Sequence, residues 1–155
     1  MANQGGAEPK ATRRRSFSKL YLLFFTTLLV VTFSKDNDRI LTTLQDGLNE
    51  HRTGNYEEAS HIYSSILELQ PNNSDALHLL GLIHLHQNNL TSAEDFLLRS
   101  ISIWPGNPVA LSNLGEILRR KNDLARAEAY LTASLEIRPQ AAAAYNLGLV
   151  LQDRG

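Results

Sequence analysis

Three histidines lie within nine residues of one another: His78, His84 and His86. Imidazole is the commonest metal ligand in proteins and the side chain best suited to moving protons near neutral pH. If the stretch is helical, each residue advances by about 100° around the axis. His84 and His86 then point to nearly opposite faces, His78 matches neither, and no carboxylate completes a site. The spacing therefore predicts no metal site and no cofactor.

Other arrangements that could perform catalysis are also missing from the sequence. It contains no cysteine, which excludes disulfides and thiolate ligands. No nucleophile is paired with a base, and no glycine-rich phosphate loop is recognisable. The net charge is −1 and the chain is acidic beyond its basic N-terminus, which argues against a nucleic-acid partner. The composition is that of a globular protein, and we expect no enzymatic activity.

The chain instead carries a repeat with a step of 34 residues. Glycine, alanine and proline recur at this step, with the last glycine one residue early: Gly47, Gly81, Gly115 and Gly148; Ala59, Ala93 and Ala127; Pro71, Pro105 and Pro139. A period of this length indicates a solenoid in which one unit of secondary structure is copied in tandem.

Each unit is predicted to contain two helices joined by a turn. The helices of the two central units are expected at about 74–87, 90–103, 108–121 and 124–137. Gly54, Asn88 and Asn122 suit the left-handed residue that ends a helix. Asn107 and Pro108 suit an N-cap and the first residue of a helix.

Close packing between the two helices of a unit is predicted from the small residues. Gly81 and Gly115 lack a Cβ atom, so a second helix can approach the first closely at these positions. Leu97 and Ile103 are expected to fill the space between helices and units. Isolated helices of this length are marginal in water, so stacking of the units must supply the stability.

The period, together with the order Leu-x-x-Leu-Gly, turn, alanine and proline, resembles the tetratricopeptide repeat. The resemblance covers about residues 40–155 and is clearest in the third unit. It implies an all-α solenoid of helical hairpins with about three and a half repeats, and the uncharged run before the repeats is expected to form an N-terminal apolar helix in front of it. The array would span 38–155, in units of about 40–73, 74–107, 108–140 and a partial 141–155.

The resemblance also implies a binding face. In this family the first helices line a concave groove that holds extended peptides or partner helices, and the residue before Leu-Gly faces that groove. The repeats of O-linked N-acetylglucosaminyl transferases carry asparagines there. The candidate peptide-binding residues are Gln45, Asn113, Asn146, Glu116 and Arg119. Leu79 interrupts the amide ladder, and Arg119 could instead be a solvated residue that complements the helix dipole.

The first 34 residues differ from the repeats. Residues 1–19 carry a charge of +4 and are predicted to be a disordered basic tail. Residues 20–33 carry no charge, but a bilayer usually requires about 20 residues. We expect 20–34 to be a membrane anchor or the apolar part of an export signal, with a buried helix as the alternative. As an anchor it would keep the N-terminus cytoplasmic and the repeats on the outer or lumenal side; cleavage would release them.

Two functions remain open from the sequence. One is a membrane-tethered scaffold that binds proteins or peptides in its groove. The other is the N-terminal repeat region of a longer glycosyltransferase or sulfotransferase, with no catalytic residue in this chain. The last unit has no second helix to cover Leu147, Val150 and Leu151. This favours a fragment, with self-association or a covering partner as alternatives.

Overall fold

The computed structural model describes residue 32 and residues 34–155. The predicted basic tail 1–19 lies outside the described residues, as does the predicted apolar segment 20–33 apart from Thr32. None of the described helices is both long and apolar enough to cross a membrane. The chain divides after residue 41 into two units, and the repeats lie in the second, residues 42–155.

Seven helices and no strand make up the described part of the chain. They are α1 (34–53), α2 (Tyr56–Leu69), α3 (Ser74–His86), α4 (Leu90–Ile103), α5 (Pro108–Arg120), α6 (Leu124–Ile137) and α7 (Ala141–Arg154). Helices α3 to α6 confirm the four predicted helices to within one residue at each end. Helices α2 to α7 each pack on their neighbour in sequence, and α5 also packs on α3 and α7, as in a solenoid of helical hairpins.

The helix boundaries follow from polar caps and left-handed turns. The Asn107 side-chain oxygen accepts from the backbone N–H groups of Val109 and Ala110, at 3.1 and 3.2 Å, and Pro108 is the first residue of α5. These bonds satisfy N–H groups that have no partner within the helix. The predicted left-handed residues are confirmed, with φ of 85° at Gly54, 61° at Asn88 and 63° at Asn122.

Three repeat glycines act as contact points between the helices of a unit. A Cβ atom would come too close to a buried side chain of the second helix: 2.5 Å from Tyr63 at Gly47, 2.9 Å from Leu97 at Gly81 and 2.5 Å from Leu131 at Gly115. The repeat alanines are fully buried: Ala59, Ala93 and Ala127. The repeat prolines are exposed and follow the residue that caps each second helix: Pro71, Pro105 and Pro139.

Two buried serines, also one period apart, link the helices of a unit. The Ser100 hydroxyl donates to the Ser74 carbonyl at 2.8 Å, and the Ser134 hydroxyl donates to the Pro108 carbonyl at 2.7 Å. Each bond joins the end of a second helix to the start of the first helix of the same unit. Both serines are fully buried, and a buried hydroxyl without a partner is costly, so each bond satisfies its serine and links the two helices of the hairpin.

Ion pairs join one unit to the next. Glu94 pairs with Lys121 at 2.5 Å and with Arg126 at 3.1 Å, and Glu128 pairs with Arg154. The hydrogen bond from Lys121, followed by the other contacts with Lys121 and Arg126, holds the pKa of Glu94 below its usual value, although partial burial opposes this.

The structure corrects two expectations about packing. Val150 is fully buried, in a cluster that includes Leu118 and Leu131, because one side of α7 lies on the preceding hairpin. Ile103 was expected to fill the interior but is 40% exposed, because it is the last residue of α4.

A Cβ atom at Gly148 would meet nothing within 4 Å, and Leu151 is 52% exposed. The open side of α7 is therefore the side that carries these two residues.

Candidate functional site

Two adjoining cavities open along the first helices of successive units. The first, of about 390 Å³, lies between α1 and α3 and is lined by Gln45, Leu48, His51, Arg52, Leu79 and Leu82. The second, of about 360 Å³, lies between α3 and α5 and is lined by Leu82, Leu85, His86, Asn113, Glu116 and Arg120. Leu82 lines both, so the two cavities are adjacent, and together they are called the inner groove.

The two ends of the inner groove differ in chemistry. Leu48, Leu79 and Leu82 give the first cavity an apolar floor, and Leu48 remains 38% exposed. Exposed apolar surface in a concave site favours binding of an apolar group. The second cavity carries an amide and two opposite charges, from Asn113, Glu116 and Arg120. The groove thus offers an apolar site beside a hydrogen-bonding site.

The amide of Asn113 is held by a histidine from the neighbouring unit. Its Nδ2 atom lies 3.0 Å from Nε2 of His78, across the interface between α5 and α3. Burial lowers the pKa of His78 below its usual value; the Asp75 carboxylate opposes this, and His51 adds to the lowering. The neutral ring that burial favours can accept the Asn113 N–H on Nε2.

Arg120 is held over the second cavity by two contacts. Its Nη2 atom donates to Oδ1 of Asn88 at 2.6 Å, and its Nη1 atom lies 3.8 Å from the Glu116 carboxylate. The guanidinium and carboxylate partly neutralise one another while both line the groove. A ligand there meets a polar surface with hydrogen-bonding groups rather than a concentrated charge.

Arg119 and Asn146 are placed differently from the other candidate residues. Arg119 pairs with Asp153 of α7 at 3.1 Å and does not line either of the two cavities, whose α5 cation is Arg120. Adjacent helical residues differ by about 100° in direction, so the two arginines cannot face the same way. Asn146 lies half-buried on α7, also outside the two cavities.

The remaining candidates lie in the groove. Gln45 lines the first cavity and its amide nitrogen is 3.5 Å from the side-chain oxygen of Asn49. Asn113 and Glu116 line the second cavity. Leu79, which interrupts the amide ladder, forms part of the apolar floor. The structure thus places Gln45, Asn113 and Glu116 along the inner groove, while their roles in binding stay predictions.

An aromatic cluster borders the groove where α1, α2 and α3 meet. The Tyr56 ring stacks on His86 with centroids 5.3 Å apart, and His51 meets Tyr56 and His86 edge-on, at 5.3 and 6.0 Å. Burial, and secondly the nearby His86, lower the pKa of His51. Burial also raises the pKa of Tyr63 to about 12. His51 is therefore predominantly uncharged at neutral pH, and so is Tyr63.

The three histidines of the sequence stretch do not form a common site. His84 stacks on Phe96 with centroids 5.3 Å apart, whereas His78 contacts Asn113 and His86 contacts Tyr56. Within the part of the chain that the structure describes, no group of three potential ligands is placed to hold a metal ion.

Sequence reasoning missed three features of the groove: the partnership of His78 with Asn113, the position of Arg120, and the apolar floor. The contact between His78 and Asn113 could have been inferred from the sequence, because the two residues are 35 apart, close to one period. Residues one period apart lie at equivalent places on neighbouring first helices, so a contact between them could have been considered.

Comparison with known sequences identifies the family. Two sequence profiles described as "Tetratricopeptide repeat" match residues 47–108 and 110–145, which together make up more than half of the chain. No curated protein sequence matches significantly. The helical hairpins, the glycine contacts and these matches agree, and the chain belongs to the tetratricopeptide repeat family.

Solved structures with the same fold include domains seen with bound peptides. The first repeat domain of Spaghetti (RPAP3) bound to the HSP90 peptide SRMEEVD is 19% identical, with a TM-score of 0.70, covering 74% of this chain and 91% of that one. The Yersinia enterocolitica type III secretion chaperone SycD, in complex with a peptide of the translocator YopD, is 17% identical, with a TM-score of 0.69 and coverage of 76% and 96%. At these identities the likeness concerns the fold.

A third solved structure is more similar in sequence. It is a mutant of the Thermobaculum terrenum O-GlcNAc transferase, 31% identical with a TM-score of 0.69 over 72% of this chain. The match covers 22% of that enzyme, so this chain corresponds to about a fifth of its length.

Proposed function

We propose that this protein is an interaction scaffold whose inner groove binds an extended peptide segment of a partner protein. The observation that carries the proposal is the joining of an apolar cavity to a hydrogen-bonding cavity through Leu82. An extended segment can place an apolar side chain on Leu48 and Leu79 while its backbone pairs with the Asn113 amide. Repeat domains of the same fold, in RPAP3 and SycD, have been solved with peptides, which supports a peptide as the ligand.

The test is selection of linear peptides from a displayed random library against the full chain, followed by affinity measurement on two matched variants. Leu48→Glu puts a charge on the apolar floor, where Leu48 is 38% exposed. Ile103→Glu puts the same charge on α4, at a residue that is 40% exposed and outside both cavities. We expect Leu48→Glu to abolish binding and Ile103→Glu to preserve it. A library that yields no binder, or peptides that bind both variants equally, would overturn the proposal.

A second element of the proposal is that the scaffold is attached to a membrane. We infer that residues 20–33, uncharged and preceded by a basic stretch, tether the scaffold with the repeats outside the cytoplasm, unless the segment is cleaved as an export signal. The charge pattern supports this. The intact mass of the native protein in the membrane fraction tests it. A membrane-bound species that retains residues 1–34 supports the anchor, and a soluble species without them supports cleavage.

A second candidate function rests on the 31% identity to the O-GlcNAc transferase repeats. In this alternative, the groove presents protein substrates to a glycosyltransferase or sulfotransferase domain of the same polypeptide. Tetratricopeptide repeats are generally non-catalytic, so the chemistry would belong to that other domain. A native mass far above 17.3 kDa would support this alternative, and a mass at or below that value would contradict it.

A further inference from the structure

The contact between His78 and Asn113 has a direction. Asn113 approaches with Nδ2, which can only donate hydrogen bonds, so Nε2 of His78 must accept. The imidazole is then neutral and carries its proton on Nδ1. With one N–H of its amide bound to His78, Asn113 keeps its side-chain oxygen available to a ligand in the second cavity, which Asn113 lines.

Protonation of His78 would reverse this arrangement. An imidazolium has a proton on both nitrogens and can only donate, so Nε2 and the Asn113 N–H₂ group would oppose each other. A rotation of the Asn113 amide by half a turn relieves the conflict, because its oxygen then accepts from His78. The N–H₂ group would face the cavity instead, and the groove would offer a donor where it previously offered an acceptor.

We propose that His78 is a positioning residue that sets which end of the Asn113 amide faces the inner groove, so that the groove takes a peptide N–H at neutral pH and loses this preference in mild acid. The inference rests on the proposed function and specifies its chemistry. The ligand is an extended chain with a free backbone N–H opposite Asn113. A peptide that lacks this N–H, such as one with a tertiary amide at that position, is discriminated against.

The surroundings of His78 favour the neutral state. It is partly buried between α3 and its neighbours, and burial is the largest influence on its protonation. Among the described residues, the titratable groups that act on it are Asp75 on its own helix and His51 on α1. On α5, the residue that contacts His78 is the uncharged Asn113. The two charged residues of α5 that line the second cavity, Glu116 and Arg120, pair with each other.

The first arm of the test needs no ligand. Nitrogen-15 NMR on the full chain at pH 7.5 is expected to show His78 with its proton on Nδ1, and the Asn113 side-chain amide signal is expected to shift with the same midpoint as His78 on acidification. A His78 ring that carries its proton on Nε2, or an Asn113 amide that does not respond to the titration, would overturn the inference.

The second arm uses a peptide from the library selection and three variants at position 78 or outside the groove. His78→Gln keeps an acceptor without titrating, His78→Leu removes the acceptor, and His61→Gln removes an exposed histidine of α2. One hydrogen bond to the peptide corresponds to about a three- to tenfold change in affinity. We expect the wild type and His61→Gln to lose this much between pH 7.5 and a pH below the His78 midpoint found by NMR, and His78→Gln to keep its pH 7.5 affinity throughout. His78→Leu should be weak at both values, with circular dichroism showing that each protein is folded.

Methylation of the peptide backbone identifies the donated N–H. At pH 7.5, N-methylation at one peptide position should weaken binding to the wild type but not to Asn113→Ala. Equal sensitivity of both proteins at every position would contradict the inference, as would a pH dependence that survives in His78→Gln. If no peptide binds through the groove, the proposed function fails while the first arm still decides the His78–Asn113 relation.

Discussion

At the scale of single residues, equivalent positions of the repeat have different surroundings. Gly115 touches Leu131, whereas Gly148, one repeat later, faces open space. The same residue type is therefore required for packing at one position and not at the other. The difference makes the two glycines a matched pair for measuring what the close contact requires.

We predict opposite effects of alanine at these two glycines. Gly115→Ala places a methyl group 2.5 Å from Cγ of the buried Leu131 and should lower the free energy of unfolding by about 1–3 kcal/mol. Gly148→Ala meets no neighbour and should raise it by about 0.5–1 kcal/mol, because alanine is the better helix former. Chemical denaturation of both variants checks the prediction. Equal effects would contradict the role given to the glycine contact.

A second prediction concerns the buried serine of α4. Ser100→Ala removes the hydrogen bond to the Ser74 carbonyl at 2.8 Å and should destabilise the fold by about 0.5–1.5 kcal/mol. Ser102 lies two residues further on the same helix and donates to the Arg99 carbonyl at 2.7 Å, but in an exposed position. Ser102→Ala should therefore change stability by less than about 0.5 kcal/mol. Thermal melts of both proteins distinguish a buried link between helices from a local one.

At the scale of helices, the structure shows what a period can predict and what it cannot. Helices α3 to α6 were predicted within a residue because asparagine, glycine and proline mark their ends through local backbone chemistry. The groove was predicted less well. Whether Arg119 or Arg120 faces it depends on the rotation of α5, and a step of one residue turns the side chain by about 100°.

The contact of His78 with Asn113 is of the same kind. It depends on the angle between neighbouring units, which arises from the packing of many side chains and not from any one motif. The burial of Val150 also escaped prediction, since the missing second helix suggested an uncovered α7. That reasoning treated the helix as one surface, although α7 packs on α5 and α6 with its other side.

The packing of the first helices predicts how stability responds to pH. Burial lowers the pKa of His51 and His78 in the folded state, so the unfolded chain binds protons more readily. The stability that the two neutral histidines contribute should be fully present above the ordinary histidine pKa of 6.5. It should decrease as the pH falls below that value. Denaturation midpoints between pH 7.5 and 5.5 should decline less in His78→Gln than in wild type or in His61→Gln. A flat wild-type profile would contradict this.

At the scale of the whole molecule, self-association through α7 stays a prediction from the sequence. The side of α7 that carries Tyr145, Gly148 and Leu151 is exposed, and a second copy could cover it. Sedimentation velocity over a range of concentrations should show a dimer that Leu151→Glu removes. The same charge at Leu69, an exposed residue of α2, should leave the dimer intact. A wild-type monomer at every concentration would contradict the prediction.

The open side of α7 also affects how readily this helix opens by itself. Among the described helices, α5 packs on α3, α4, α6 and α7, whereas α7 packs on α5 and α6 and begins without a side-chain cap at Gln140. Its amide protons should therefore exchange with solvent through brief local opening, at a free energy well below that of global unfolding. Helix α7 should thus open locally while the groove helices α3 and α5 stay folded.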